Sequence, residues 1–279
     1  MQNNNEISKT SRQYKDSLFR NLFYDNKRFL ELYNAVADDH IPDNTAIIPC
    51  SSNSLLARYN DLAALIGSQL VVFFEHSSTV ATNMPLRMLQ YAVDILYSTI
   101  VDKDELYGST QVIIPTPVFY VLYNGEQRFD SQVMKLSDAY VTKTSEPSIE
   151  LSAKVVNINY GSGEAALERS NSLKGYSYLI AEVRKNLREG MTRDAAIVAA
   201  IEACIAKDIL KTFLSENFEE VIKMLNYEYD AEAERRVLKK EGRQEGRNEI
   251  IELLEKIKQG DISVEDALTK AKHTMPEAQ

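Results

Sequence analysis

The sequence predicts an α/β protein, a mixed sheet of the α+β kind followed by a helical C-terminal region. Three observations predict it. β-rich runs at residues 46–48, 56–66, 69–77, 116–123 and 153–161 alternate with stretches of helical periodicity. Beyond Gly161 the strand signal stops and only helical patterns follow. The 279 residues are 44% hydrophobic and 26% charged, an ordinary globular balance over a length that supports a sizeable core.

Taken in order, the elements have local reasons. From Lys15 to Ala37 the apolar residues Leu18, Phe19, Leu22, Phe23, Phe29, Leu30, Leu32, Tyr33 and Val36 recur every three or four positions, which fits one amphipathic helix or two short ones. Residues 41–54 contain Pro42, Pro49 and several Ser and Asn, a loop with room for a short strand near Ala46–Ile48. Strand candidates follow at Leu56–Ile66 and Gln69–Ser77. "TNMPLRMLQYAVDILYSTI" then carries a helix start, with Asn83 as cap and Pro85 in the first turn. Leu86, Leu89, Val93, Leu96 and Ile100 are expected to form its apolar face, with Arg87, Gln90 and Asp94 on another. "TPVFYVLYNGEQ" reads as a buried central strand closed by the turn dipeptide Asn124-Gly125, and "AKVVNINYG" as one more strand.

Helices are expected over Glu164–Arg188 and again from Thr192 through "TRDAAIVAAIEACIAKDILKTFL". From Tyr229 charge dominates, and "KEGR" and "QEGR" follow one another at 240–247. Each of their glycines costs a helix about 1 kcal/mol relative to Ala, so a weak helix or a flexible stalk is expected there. "NEIIELLEKIKQGDISVEDALTKAK" resumes an amphipathic pattern, with Gly260 separating two short helices, suited to docking or association of copies or equally to a solvated helical tail. The expected organisation is a core over 1–161, a helical extension over 162–228 and a charged tail over 229–279.

The net charge of −9 and a pI near 5.1 argue against a uniformly basic, nucleic-acid-coating surface. Positive charge nevertheless gathers near the N-terminus, where Lys9, Arg12, Lys15, Arg20, Lys27 and Arg28 outnumber Glu6, Asp16 and Asp25. Cys50 and Cys204 stand far apart with no paired spacing, so neither a disulfide framework nor a structural zinc site is expected. No apolar run approaches the roughly 18 residues of a membrane span, and the first residues lack the pattern of a signal peptide. The expected location is cytoplasmic, with no membrane partner.

Two carboxylates raise a chemical question. A three-residue loop of Gly67, Ser68 and Gln69 pairs Ile66 with Leu70 and brings Asp61 opposite Glu75 on one face of the sheet. A two-residue loop instead sets Asp61 opposite Phe74 and turns Glu75 away. Facing acids repel unless a cation lies between them. Mg2+ suits such a pair, with Mn2+ as substitute, because hard dications combine one or two protein carboxylates with water and phosphate oxygens. A metal at Asp61 and Glu75 would polarise a phosphate and acidify a bound water. Ser77 shares the face of Glu75 and is a candidate to orient that water. His76 points to the other face, where a structural histidine is the ordinary outcome. Strand-end acids are also commonly just solvated. No G-x-S-x-G elbow surrounds Ser77 or Ser78, and "YGSGE" is too short for a phosphate loop.

"YKDSLFRNLF", "NDLAALIGSQLVVFFEHSST", "NMPLRMLQY", "TPVFYVLYNG", "VVNINYG" and "EGRQEGR", in this order across roughly residues 14 to 247, resemble the recombination-promoting nuclease family, a transposase-related group within the PD-(D/E)XK nuclease superfamily. The resemblance implies a PD-(D/E)XK restriction-endonuclease-like core, DNA as partner and metal-dependent phosphodiester hydrolysis. It assigns Asp61 to the metal-binding Asp and Glu75 to the acid of the signature. Family members read E-H-Q-S-T where this chain reads Glu75-His76-Ser77-Ser78-Thr79. Ser77 therefore replaces a longer amide, and one orienting contact is lost or weakened. Gln90 on the next helix is a candidate to supply an amide instead. Arg87 suits a phosphate or an ion pair with a nearby acid, Lys15 and Arg20 suit backbone contacts, and Asp16 is a candidate third acid. The alternative function is a nuclease fold that binds DNA or protein without cutting. Association of copies through the C-terminal helices is a further expectation.

Overall fold

The computed structural model describes residues 17–50, 62–79, 81–97, 103–127, 129–259, 262–266 and 268. Asp61, Asp16 and Lys15, together with Ile100 and Gly260, lie outside the described residues.

The first helical stretch is two helices, α1 (Leu18–Phe23) and α2 (Asn26–Ala37). Each has its own cap. Ser17 Oγ accepts from the Arg20 amide at 3.2 Å, and Asp25 Oδ1 accepts from the Arg28 amide at 3.0 Å, so the chain restarts a helix instead of continuing one. α2 ends at Asp38 in the left-handed region, φ 60°, with its N–H returned to the Asn34 carbonyl.

Six strands make one mixed sheet: β1 (Ile47–Pro49), β2 (Leu62–Ile66), β3 (Leu70–Ser77), β4 (Thr116–Tyr123), β5 (Gln132–Lys135) and β6 (Ser152–Asn157). Their spatial order is β1-β2-β3-β4-β6-β5. β2 runs antiparallel to both β1 and β3, β3, β4 and β6 are parallel, and β5 returns antiparallel on β6. A parallel step needs a crossover, and α3 (Met84–Ile95) supplies the one between β3 and β4. The turn from β2 to β3 has the three-residue form, with Ile66 paired to Leu70 and the register running to Leu62 opposite Phe74. Gly67 begins that turn at φ 57°, a conformation that costs other residues energy.

β4 is central, as its continuous apolar run predicts, but Asn124-Gly125 does not close a hairpin. The following strand β5 skips β4 and pairs with β6. The sequence reading did not include β5: only Met134 of its four residues is buried, which is the weak pattern of an edge strand.

Side chains alternate across the sheet and define two cores. Val71 and Phe73, with Phe119, Val121, Tyr123, Ala153 and Val155, face α3 through Met84, Met88, Tyr91, Ala92 and Ile95. On the other side Phe74 meets Phe29 and Tyr120 meets Tyr33, both from α2. The expected apolar face of α3 is corrected here. Leu86 and Val93 are 57% and 56% exposed, Leu89 and Leu96 only flank the core, and the buried stripe runs through Met88, Tyr91 and Ile95. Apolar residues cover more than half the circumference of this helix, so spacing alone leaves two stripes available and packing selects one.

After β6 come α4 (Ala165–Arg169), α5 (Asn171–Arg188), α6 (Arg193–Ala206), α7 (Lys211–Glu216) and α8 (Phe218–Gln259). The stretch expected as one helix over 164–188 divides at Ser170, whose hydroxyl caps α5 by accepting from the Leu173 amide at 3.0 Å. α8 passes through Gly242 and Gly246 as continuous helix, where a weak helix or stalk was expected. The chain divides into two compact units, residues 1–225 and 226–279, so the helices from 162 to 225 belong to the same unit as the sheet. Among the described residues no helix is long and apolar enough to cross a membrane.

Candidate functional site

β3 carries Glu75 near its C-terminal end, paired in register with Val121 of β4 and only 6% exposed. A carboxylate so placed in a sheet is costly unless it is partnered. Arg87 is a partner. Its Nη2 donates to Glu75 Oε1 at 2.6 Å, and its Nε donates to the Tyr91 hydroxyl at 3.2 Å. The local sequence explains the alignment. Pro85 sets the first turn of α3, Arg87 follows two residues later, and Tyr91 lies one turn beyond it on the buried stripe. Burial works against the Arg87 charge, but the Glu75 carboxylate and the Tyr91 hydroxyl outweigh it and hold the guanidinium pKa above its ordinary value.

Ser77 shares the face of Glu75 by alternation, yet its hydroxyl is engaged locally. Oγ donates to the Thr79 carbonyl at 2.6 Å and accepts from the Thr79 amide at 3.3 Å. It thus stabilises the exit from β3. Gln90 is exposed on the stripe of Leu86 and Val93, which turns its amide away from the buried side of α3. Among the described candidates, Glu75 and Arg87 are brought into contact, while Arg20 sits at the end of α1 without being joined to them.

His76, on the opposite face, is a structural residue. Its ring stacks on Phe19 at 4.8 Å and shares a 3.1 Å hydrogen bond with the Tyr176 hydroxyl of α5. Burial, reinforced by the Arg184 charge, pushes its pKa down to about 4, so it is neutral near pH 7. Arg184 in turn donates to Asn124 Oδ1 at 2.9 Å, to the Asn124 carbonyl at 2.5 Å and to Asn159 Oδ1 at 3.1 Å, joining α5 to the ends of β4 and β6. Sequence reasoning passed over Tyr91, Tyr176 and Arg184. Tyr91 had a usable signal, its spacing of four from Arg87, whereas the other two are brought in by tertiary packing.

Metal-binding chemistry can be tested against these residues. Among the described residues no group of three or more His, Cys, Asp or Glu side chains is placed to hold an ion. A hard dication needs less than that, since water and phosphate oxygens complete its shell around one or two protein carboxylates. Glu75 fits as one such ligand, with its oxygen Oε1 shared with Arg87. Comparison with protein-family models, with curated proteins and with solved structures finds no match.

Proposed function

We propose that this chain is a metal-dependent DNA endonuclease with a PD-(D/E)XK-like core, acting in recombination or in mobile-element biology. The observation that carries the reading is the buried Glu75 carboxylate, set beside an arginine at the junction of a β-hairpin and a crossover to a parallel strand. Glu75 and Asp61 would hold Mg2+, or Mn2+ in its place. The described pairing ends at Leu62 opposite Phe74, one position before that pair of residues, and so supports the register the proposal needs. When bound, the dication would supply charge for the phosphate and a more acidic water. Arg87 offers a planar donor fork for a phosphate oxygen, and Tyr91 orients it. Lys15 and Arg20 would contact the backbone of DNA, with Asp16 as a third acid. Copies of the chain would associate through the C-terminal helices.

Nicking of a supercoiled plasmid tests this, with Mg2+ or with EDTA, for wild type, Asp61→Ala and Glu75→Ala. Cleavage is expected for wild type with Mg2+ alone, and equal cleavage by all three proteins would remove the assignment. A second reading is favoured by the engaged Ser77 hydroxyl: a nuclease-like fold that binds DNA or protein without turnover. It expects salt-sensitive duplex binding and no nicking, with Ser77→Gln as the variant that would recover cleavage.

A further inference from the structure

Glu75 and Arg87 are unequal partners. The Glu75 side chain is 8% exposed and fixed in a strand, whereas the Arg87 side chain is 36% exposed on a helix at the edge of the same site. The arginine is the partner with solvent beside it to move into. Its guanidinium is rigid and planar, so Nη2 leaves Glu75 only as the whole group turns, and the 3.2 Å Nε contact to Tyr91 changes with it. A dication binding at Glu75 would sit within a few ångströms of the guanidinium, and like charges at that range repel. A phosphate arriving beside the dication offers the guanidinium a new acceptor.

We propose that Arg87 is a displaceable internal counter-ion. It neutralises Glu75 before metal arrives, yields that carboxylate to the divalent cation and then takes a DNA phosphate oxygen. The inference rests on the nuclease reading above and adds its regulation: metal and DNA bind cooperatively because one side chain serves both. Linkage makes the effect reciprocal, so DNA tightens metal binding by the same factor by which metal tightens DNA binding. The site also avoids exposing an unneutralised carboxylate when empty.

Calorimetric titration of the full-length protein with Mn2+ alone is the first measurement, for wild type, Arg87→Gln, Arg87→Lys and Glu75→Gln. Removing the opposing charge in Arg87→Gln is expected to tighten Mn2+ about tenfold, while Arg87→Lys, which keeps a cation there, stays near wild type. Fluorescence anisotropy with a labelled duplex is the second. Adding Ca2+ is expected to raise duplex affinity for wild type and to have much less effect on Arg87→Gln. If Arg87→Gln does not fold, nuclear magnetic resonance of wild type decides: the Arg87 Nε–H signal, assigned from its absence in Arg87→Lys, must shift as Mg2+ is added. Unchanged Mn2+ affinity in a folded Arg87→Gln, or an Arg87 signal unmoved at saturating Mg2+, overturns the counter-ion role while leaving metal binding intact. Unaltered Mn2+ affinity in Glu75→Gln removes the metal site itself, and the counter-ion role with it.

Discussion

At the scale of single residues, β3 sets two titratable groups side by side and points them to opposite faces with opposite consequences. Glu75 meets the Arg87 guanidinium at 2.6 Å. His76 is kept neutral by burial and by the nearby Arg184, with its pKa lowered from 6.5 to about 4. Because the folded pKa lies below the unfolded one, the unfolded chain takes up this proton first as pH falls. Stability from His76 is therefore complete above pH 6.5 and is lost as the pH drops toward 4. The loss amounts to as much as about 3 kcal/mol. Urea unfolding at pH 7 and at pH 4.5 measures it, and His76→Phe is expected to flatten the difference while preserving the stack on Phe19. A difference as large in the variant as in wild type would place the acid sensitivity elsewhere. The ion pair on the other face makes its own prediction. Arg87→Ala strips the buried carboxylate of its guanidinium and is expected to cost roughly 3 kcal/mol, while Glu75→Ala leaves an arginine that reaches water and costs less. Denaturant midpoints of the two single variants and the double variant check the asymmetry, since the double should recover part of the Arg87→Ala loss.

At the scale of elements, what the sequence could convey divides along a physical line. Strands β2, β3 and β4 were legible because burial on both faces writes itself as unbroken apolar runs, and Gly67 marked the turn between β2 and β3 but left its length open, which the pairing of Ile66 with Leu70 settles. The division of the first helical stretch was left open by its periodicity, and two short side chains, Ser17 and Asp25, settle it. The buried stripe of α3 was misread, because a helix apolar on most of its surface is oriented by what it packs on. The site was half legible: Glu75 and Arg87 could be named, but their contact spans a strand and a helix and has no signature in spacing. The same limit hides Glu31. This residue sits within α2, yet its carboxylate accepts from Ser170 Oγ at 2.8 Å, from the Ser172 amide at 3.0 Å and from Ser172 Oγ at 2.7 Å. It thus caps the start of α5 from another helix and is favoured there by the helix dipole. Glu31→Ala is expected to cost about 1–2 kcal/mol in a urea titration, as loss of a cap does. Gly125 answers to a different constraint, since a Cβ there would meet the Ser78 carbonyl oxygen at 2.2 Å. Gly125→Ala must push apart the ends of β3 and β4, and a fall in stability well beyond that of an exposed Gly→Ala change is the expected result.

At the scale of the whole molecule, the division near residue 225 makes a claim about where cooperativity ends. Val221 and Leu225, in the first turns of α8, are fully buried and complete the core of the first unit, which closes at Leu225. Farther along the same helix Val237, Ile250, Ile251 and Leu254 are exposed by 38% to 59%. The early part of α8 thus contributes to the core of the sheet unit, and the later part carries exposed apolar side chains. Two truncations separate these contributions. A chain ending at residue 228 keeps both buried side chains and is expected to unfold at the same denaturant concentration and with the same cooperativity as the full chain. A chain ending at residue 216 loses them, and at about 1.5–3 kcal/mol for each large apolar side chain removed from a core it should be destabilised by roughly 3 kcal/mol or more. Light scattering on the 228-residue chain adds the second half of the test: if copies associate through residues 226–279, its mass falls to that of one chain while its unfolding midpoint stays in place. Equal destabilisation of both truncations would show that the later helix belongs to the same cooperative unit as the sheet, and an unchanged mass would remove association through the C-terminal helices.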